Sequence, residues 1–542
     1  MATKSEEFGE CQNSKLICNC AVEIANILYP LRQLNSDNIA MACIDILFGD
    51  GNKTKLFLKT GEMSAHIIKE LDRRIYIPNN GRFDAWLHQR LHEKMENEKE
   101  NKCVRGYCLD QPGLYKLPEK GYCYMLGDQL LGKDIERIYP VDTIFRVETL
   151  ENHQSALKNL CETFHSGEMM LGFAFLAATL VRSGILETGG DWQAVLYIVG
   201  KQGVGKTTLA RYLTGWLKNK EMDSSATFHG IGSSIAAMRD SMATARDLPV
   251  VIDDLCLSAS RNTQKQAVEL GAQLIREGTN AASIIKKKPG GQTSELKCQA
   301  GLILTAEFIL NNPSDITRCV FLNLQKSLHL SAPLNTAQLG SAIQCYLRWF
   351  TIHAEQAFAE LKEALELKQE NLPFRIQVNY TILGWALQQF LSAAVSDGLS
   401  QEKMTYLMQQ YQNAEQNSIQ FQQNILKQYK SHIKKENIAS LLLKAVEDKQ
   451  KLRLTKKAHK LKKCDGILWK EDLCLKREAL ERFVRMQNGY QNYTISQIIR
   501  ELKDIGALVL QESNTAQVKL RKDLPRVYRI QMDVLKNEAR EF

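Results

Sequence analysis

The sequence has little that would carry it into or across a membrane. Its longest apolar run, Leu171 to Val181, is too short to span a bilayer and reads as a core helix packed under a sheet. A secretory leader is lacking, so the fourteen cysteines are expected to be mostly buried thiols of a cytoplasmic protein. Cys18 with Cys20, and the trio Cys103, Cys108 and Cys123, lack the paired C-x-x-C spacing of structural zinc sites, which argues against metal there. A strong charge of one sign is missing too. The formal net charge of +9 over 542 residues permits an anionic partner without demanding one. What remains is a globular composition, 44% hydrophobic and 24% charged, long enough for three or four domains.

The most specific stretch runs from Gly200 through Gly203, Val204, Gly205 and Lys206 to Thr207, with Thr208 next. It spells G-x-x-x-x-G-K-T. In such a loop the glycines let backbone N–H groups turn inward around a polyphosphate, Lys206 reaches the β- and γ-phosphates, and the Thr207 hydroxyl ligates Mg²⁺. An apolar run, Ala194 to Val199, precedes it and a helical pattern, Thr208 to Leu217, follows. That order presents a helix N-terminus to the phosphates.

Downstream, the apolar pattern Leu248 to Ile252 ends in Asp253 and Asp254. Asp253 is expected to hold a Mg²⁺-bound water, and Asp254 to orient or deprotonate the attacking water. A third strand pattern, Gly301 to Leu304, runs into Thr305, Ala306 and Glu307. At such a tip Thr305 can bond the attacking water or the γ-phosphate; the plain alternative is a helix cap. Arg318 fits an arginine finger reaching a neighbouring subunit's nucleotide, or else a surface ion pair.

In this order the elements resemble the AAA+ ATPases, most nearly the MCM-like replicative helicases of cassette chromosomes, phages and similar mobile elements. The resemblance rests on the phosphate loop, on Ile235 to Asp240 leading into Asp247 to Asp254, and on Leu304 to Glu307. One departure is the Asp-Asp pair where the family usually has Asp-Glu, a substitution also met in superfamily-three viral helicases. The resemblance implies an α/β P-loop core over 151–330 that binds ATP and Mg²⁺ between subunits of a homo-hexamer. It also implies a helical lid within 331–463, with Arg375 as a sensor arginine, and replication partners of the element.

Between the acidic strand and the Thr305 strand, Ala281 to Ala300 reads as strand, turn, strand. In those helicases a hairpin here projects into the central channel. Lys286, Lys287 and Lys288 are then expected on the phosphates of a threaded single strand, a solvated loop being the alternative.

The flanks are less specific. Residues 1–150 read as a small α+β domain, with a polar start to about residue 20 expected to fray. Two strands joined by a turn follow over Asn38 to Lys59, then helices over Ser64 to Asp72 and Arg82 to Glu96; no catalytic site is identified there. Helical patterns cover Leu339 to Leu367 and Tyr380 to Val395, and from Lys427 to residue 463 lysines face few acids, as in a solvated linker or a phosphate-binding stretch. Residues 464–542 resemble a winged helix: Lys476 to Met486, then Thr494 to Ile505 capped by Thr494 and closed by Gly506, with wing strands over Ala507 to Gln511 and Arg526 to Met532. Arg500, Lys503, Lys519, Arg521 and Lys522 are its candidate DNA contacts, although winged helices also bind proteins.

The sequence therefore predicts an ATP-hydrolysing helicase or translocase on DNA, with no membrane partner. Its rival is an ATP-regulated DNA-binding initiator or switch that unwinds nothing.

Overall fold

Four mainly apolar runs and the short edge strand Phe228–Gly230 build a parallel sheet whose spatial order is Phe228–Gly230, Pro249–Leu255, Gly301–Ala306, Val195–Gly200, Cys319–Leu324. These runs are apolar without alternation because helices cover both faces; Gly301–Ala306 is buried at every position. The run from Leu171 lies in the helix Gly167–Leu180, of which every residue from Met169 to Leu180 is buried. It packs on the strands Pro249–Leu255, Gly301–Ala306 and Cys319–Leu324 and on the helices Lys206–Thr214 and Phe374–Ser396. Each Leu or Phe buried in this way contributes about 1.5–3 kcal/mol, which makes this helix a central support of the sheet.

The computed structural model describes residues 10–12, 15–31, 41–100, 106–117, 121–133, 135–140, 143–151, 154–220, 225, 227–230, 232–255, 261–279, 284–287, 293–310, 312–326, 335–367, 372–432, 438–448, 452–487, 490, 493–509 and 517–540. The chain forms two compact units, Met1–Gln422 and Gln423–Phe542.

In the first unit, the two strands expected over Asn38 to Lys59 are Met41–Leu47 and Lys53–Lys59, paired antiparallel from Met41↔Lys59 to Leu47↔Lys53. They belong to a five-stranded sheet with Ala21–Pro30, Gly106–Leu109 and Ile138–Pro140. The helices Ala65–Leu71 and Asn80–Glu100 close its core through Ile68, Phe83, Trp86 and Leu87. The start of the chain departs from the expected fraying. Glu10–Gln12 pairs with Lys15–Cys18, and Ile17, Cys18 and Cys20 are buried in that same core, because their apolar side chains complete it.

A further three-stranded sheet, Gly113–Lys116, Tyr122–Leu126 and Gln129–Gly132, is tied to the residues just before the acidic strand. Asp247, 1% exposed, accepts the N–H of Leu114 at 2.9 Å and that of Ser183 at 2.8 Å. Its neighbour Arg246 donates to the Leu114 carbonyl at 2.7 Å. The helical patterns after residue 335 form Thr336–Glu366, Phe374–Ser396 and Gln401–His432.

In the second unit, a sheet of order Leu454–Thr455, Gly466–Trp469, Asp472–Leu475, Val527–Gln531, Gln517–Val518 carries helices Ile438–Glu447, Arg477–Arg485, Ile495–Asp504 and Met532–Arg540. The helix Ile495–Asp504 starts at Thr494, whose side chain and that of Gln497 form a reciprocal capping box, and Gly506 follows it at φ +71°. Ile438, Leu441 and Leu442 share one core with Leu473, Leu480 and Ile498, so this unit begins upstream of residue 464. Among the described residues no helix is long and apolar enough to cross a membrane.

Candidate functional site

The strand Val195–Gly200 delivers the glycine-rich loop to the C-terminal edge of the parallel sheet, and the helix Lys206–Thr214 leaves it. Gly200 sits so close to the strand beside it that a Cβ there would lie 2.6 Å from the Leu324 carbonyl oxygen. Gly205 has φ +96°, a left-handed conformation that L side chains resist, and it stands as N-cap with no side-chain cap on the helix. The first-turn N–H groups are therefore left to an anion in front of them. Gly203 has φ +81°, Val204 packs inward, and Thr208 is exposed one residue beyond Thr207.

Lys206 is 8% exposed, and its ammonium donates to the carbonyls of Gly200 and Lys201, both at 2.9 Å. Glu307 approaches the same nitrogen at 3.8 Å. In the sequence Glu307 is only the last residue of the Leu304 to Glu307 motif. The available signal was its place directly after the apolar run, where a parallel strand ends at the ligand edge of the sheet.

The two carboxylates of the acidic strand take different roles because the strand is irregular between Ile252 and Leu255. Asp254 has φ +66° and is exposed, whereas Asp253 is 8% exposed and turned under the loop. A bulge re-aims side chains in this way, and without it both carboxylates would alternate across the sheet. Thr207 Oγ1 donates to Asp253 Oδ1 at 3.0 Å, and Thr305 Oγ1 donates to the same oxygen at 2.5 Å.

Thr305 thus departs from the expected part of touching water. It is fully buried, its single O–H is used on Asp253, and its oxygen accepts the Asp254 N–H at 2.9 Å. It occupies the strand between the phosphate-loop strand and the acidic strand, the one place from which a short side chain can hold both.

Arg318 lies at the other edge of the sheet. Cys319 pairs with Val195 and Leu324 with Gly200, so Arg318 precedes its strand at the end remote from the loop. At strand rise, six residues put it about 20 Å away. Its guanidinium donates to the Ser314 carbonyl at 2.8 Å. Burial, then the neighbouring Arg375 charge, pull it below the usual arginine pKa, while Asp315 acts in the opposite sense. Arg375, expected in a lid over the nucleotide, donates to Thr317 Oγ1 at 3.2 Å and so belongs to this remote edge. Arg276 engages Asp315 there with two bonds of 2.8 Å.

Of the expected hairpin, Ile284–Lys287 and Thr293–Leu296 pair antiparallel, with Lys286 opposite Ser294 and Lys287 opposite Thr293. Lys288 and the turn lie outside the described residues. Arg500 and Lys503 are exposed on the helix Ile495–Asp504, and Arg521 is exposed in the loop after Gln517–Val518. Cys108 and Cys123 are buried in separate sheets, with thiols pushed by burial to about 11 and about 12; Cys103 lies outside the described residues.

The donor set suits a magnesium nucleotide: a glycine-lined N–H cradle, a buried lysine, and a hydroxyl beside a buried carboxylate. No family model matches the sequence, and no curated protein matches it either. Solved structures do. Over 98% of its length the chain is similar to 98% of the chain in "SCCmec type IV Cch - active helicase", at 12% identity and a TM-score of 0.56, which shows a shared fold. Weaker likenesses are to JCV helicase, over 48% of this chain and 66% of that one at 13% identity and a TM-score of 0.21. The C-terminal region of NrS-1 is matched over 93% and 96% at 11% identity and a TM-score of 0.30.

Proposed function

We propose that the chain is an ATP-driven motor on DNA, an AAA+ helicase or translocase resembling the MCM-like helicases and serving replication of a mobile element. One observation carries this reading: under a glycine-lined loop, the hydroxyls of Thr207 and Thr305 meet on one oxygen of Asp253. A structural turn has no need of a buried carboxylate held from two sides, whereas hydrolysis of a metal-bound triphosphate does. The fold shared with the SCCmec Cch helicase supports the choice of a motor.

In this reading the N–H groups of the loop and Lys206 hold the β- and γ-phosphates, Lys206 exchanging two carbonyl oxygens for phosphate oxygens. Thr207 and Asp253 would hold Mg²⁺, which supplies neutralisation of phosphate charge. Thr305 is a positioning residue that fixes the angle of Asp253 and, by accepting the Asp254 N–H on its hydroxyl oxygen, the start of Asp254. Asp254, exposed beside it, is the group for the attacking water, with Glu307 at the end of the neighbouring strand facing Lys206. Arg318 is too far from this chain's own loop to act on it, and so it serves a neighbour's nucleotide in a ring, with Arg375 beside it.

The ring is a homo-hexamer with ATP between subunits. Its lid comes from the helical stretch after residue 335, the hairpin with Lys286, Lys287 and Lys288 tracks a single strand, and the second unit acts as a winged helix on duplex DNA. The test is a forked DNA with purified protein: ATP-dependent strand displacement, absent in Lys206→Ala. Nucleotide-dependent DNA binding with hydrolysis too slow to displace a strand would replace this reading with a switch that unwinds nothing.

A further inference from the structure

The sheet of the second unit has two faces, and they bury different residues. Along Asp472–Leu475, Leu473 and Leu475 enter the core with the helices, while Cys474 enters a separate cluster; along Val527–Gln531, Tyr528 and Ile530 face the helices and Val527 the other side. Successive strand residues point to opposite faces, so these two clusters lie on opposite sides of the sheet. Ile495, Ile498 and Leu502 place the helix bearing Arg500 and Lys503 on the first side.

Two basic segments cover the other side. One is a strap after Leu454–Thr455 that contains the 3₁₀ helix Ala458–Lys463. With three residues per turn, Ala458, Leu461 and Cys464 fall on one face, and Leu461 is fully buried in the cluster with Ile467, Cys474 and Val527. The remaining positions, His459, Lys460, Lys462 and Lys463, are exposed, as are Lys456 and Lys457 before them. The strap's start is pinned at Asp465, which accepts the Arg453 N–H at 3.0 Å and Arg482 at 2.9 Å.

The second segment is the loop between Gln517–Val518 and Val527–Gln531. Val518 and Leu524 anchor it in the same cluster as Leu461, leaving Lys519, Arg521 and Lys522 exposed. Strap and loop enter from opposite edges of the sheet, since Leu454–Thr455 and Gln517–Val518 are its two outermost strands. The face between them is about 19 Å wide, four strand spacings. Asp465 and Asp472 are already engaged by arginines, the latter by Arg529. None of the strap lysines or the loop cations has an ion pair among the described residues, and Asp523 is the acid of the loop.

We propose that this face is a separate site for the phosphate backbone of duplex nucleic acid, independent of sequence and distinct from the surface carrying Arg500 and Lys503. The inference rests on the reading that the chain works on DNA. It also divides the contacts expected from sequence, for Arg521 lies with the strap rather than with the helix. Point charges on lysine stems read phosphate, not base edges. Apart from the His459 imidazole the strap exposes lysine ammoniums, and it carries no Phe, Tyr or Trp on which the successive bases of a single strand could stack, which favours a duplex. Because the two surfaces face apart, one straight duplex cannot lie on both, so the unit can hold two duplex segments at once.

The test uses the full chain and fluorescence anisotropy with a random-sequence duplex and a single strand over a salt series. The triple variant Lys460→Glu, Lys462→Glu, Lys463→Glu is set beside Arg500→Ala, Lys503→Ala and the five-site combination. The strap variant should lose about tenfold or more in duplex affinity, and the slope of log affinity against log salt should fall by about 2–3, near 0.9 per lost phosphate contact. Because the sites are apart, the helix variant should leave binding at the strap site unchanged, and the five-site combination should remove both. Duplex affinity and slope equal to wild type, or a loss confined to the single strand, would overturn the proposal while leaving the motor reading intact. A wild-type chain that binds no DNA even at low salt would remove both.

Discussion

Thr305 and Asp253 stand 52 residues apart in the chain and meet through a hydrogen bond of 2.5 Å. The acidic strand is thereby tied to the strand beside the phosphate loop, and Thr207 reaches the same carboxylate oxygen from the loop's own helix at 3.0 Å.

Replacing Thr305 by Val keeps the shape but removes the donor to Asp253 and the acceptor for the Asp254 N–H. Leaving such buried groups without partners costs about 1–3 kcal/mol. We expect kcat for ATP hydrolysis to fall by roughly 5- to 100-fold, with Thr305→Ser restoring most of it. Wild-type turnover in the Val variant would show that the hydroxyl does not set the carboxylate.

Glu307 and Asp254 separate by kinetics. Glu307 lies 3.8 Å from Lys206 and competes with the triphosphate for that charge. Glu307→Gln should therefore bind ATP about 3- to 10-fold more tightly, up to roughly 1.4 kcal/mol. Asp254→Asn should leave binding alone and lower kcat by about 10²-fold or more, the size of a lost general base. Nucleotide titration and steady-state hydrolysis distinguish them, and the reverse pattern would exchange the two roles.

Asp247 holds the three-stranded sheet to the residues before the acidic strand of the parallel sheet through Leu114 and Ser183. Asp247→Ala leaves the Leu114 and Ser183 N–H groups and the Ser183 hydroxyl without their acceptor, and Arg246 without the carboxylate 3.6 Å away, a loss of about 3 kcal/mol or more. The variant should melt several degrees lower, followed by circular dichroism. An unchanged melt would mean that the sheet is held by its apolar contacts alone.

Burial raises the Glu415 carboxyl from 4.5 to about 7, and a bond from the Tyr411 hydroxyl only partly opposes it. The folded chain therefore holds this proton more tightly than the unfolded one. That contribution is complete below pH 4.5 and is lost as pH rises through about 7. Glu415→Gln removes the dependence. Its stability relative to wild type should rise between pH 5 and pH 8 by on the order of 2 kcal/mol, measured by urea denaturation. A pH-independent difference would refute the shift.

Replacing Lys286, Lys287 and Lys288 together by Ala should weaken single-strand binding and lower its salt slope by about 0.7 for each lost contact. An unchanged slope would remove the hairpin from the DNA path.

Sequence legibility followed locality. The phosphate loop, the capped helix after Thr494 and the hairpin of Met41–Leu47 with Lys53–Lys59 are contiguous, and each rests on nearest-neighbour rules of backbone conformation and side-chain period. Glu307 is the last residue of the Leu304 to Glu307 motif, but nothing within its stretch indicates that it ends beside Lys206. The motif divides Asp253 and Asp254 into metal and water roles, but the irregularity that turns one under the loop and leaves the other exposed depends on how the acidic strand registers with Gly301–Ala306. Arg375 was misplaced for the same reason: its helix was legible, but not the sheet edge it packs on.

By itself the amino-acid order determined the strands and helices on either side of the glycine-rich loop, and that this loop has the spacing of one that wraps a polyphosphate, because φ preferences and apolar periods act over a few residues. Tertiary structure alone decided which hydroxyls hold Asp253, which edge carries Arg318, and that Arg521 shares a face with Leu461 and not with Arg500. Those outcomes depend on strand order and on the parity of residues across a sheet. Both are set only when distant segments bury their apolar surfaces together.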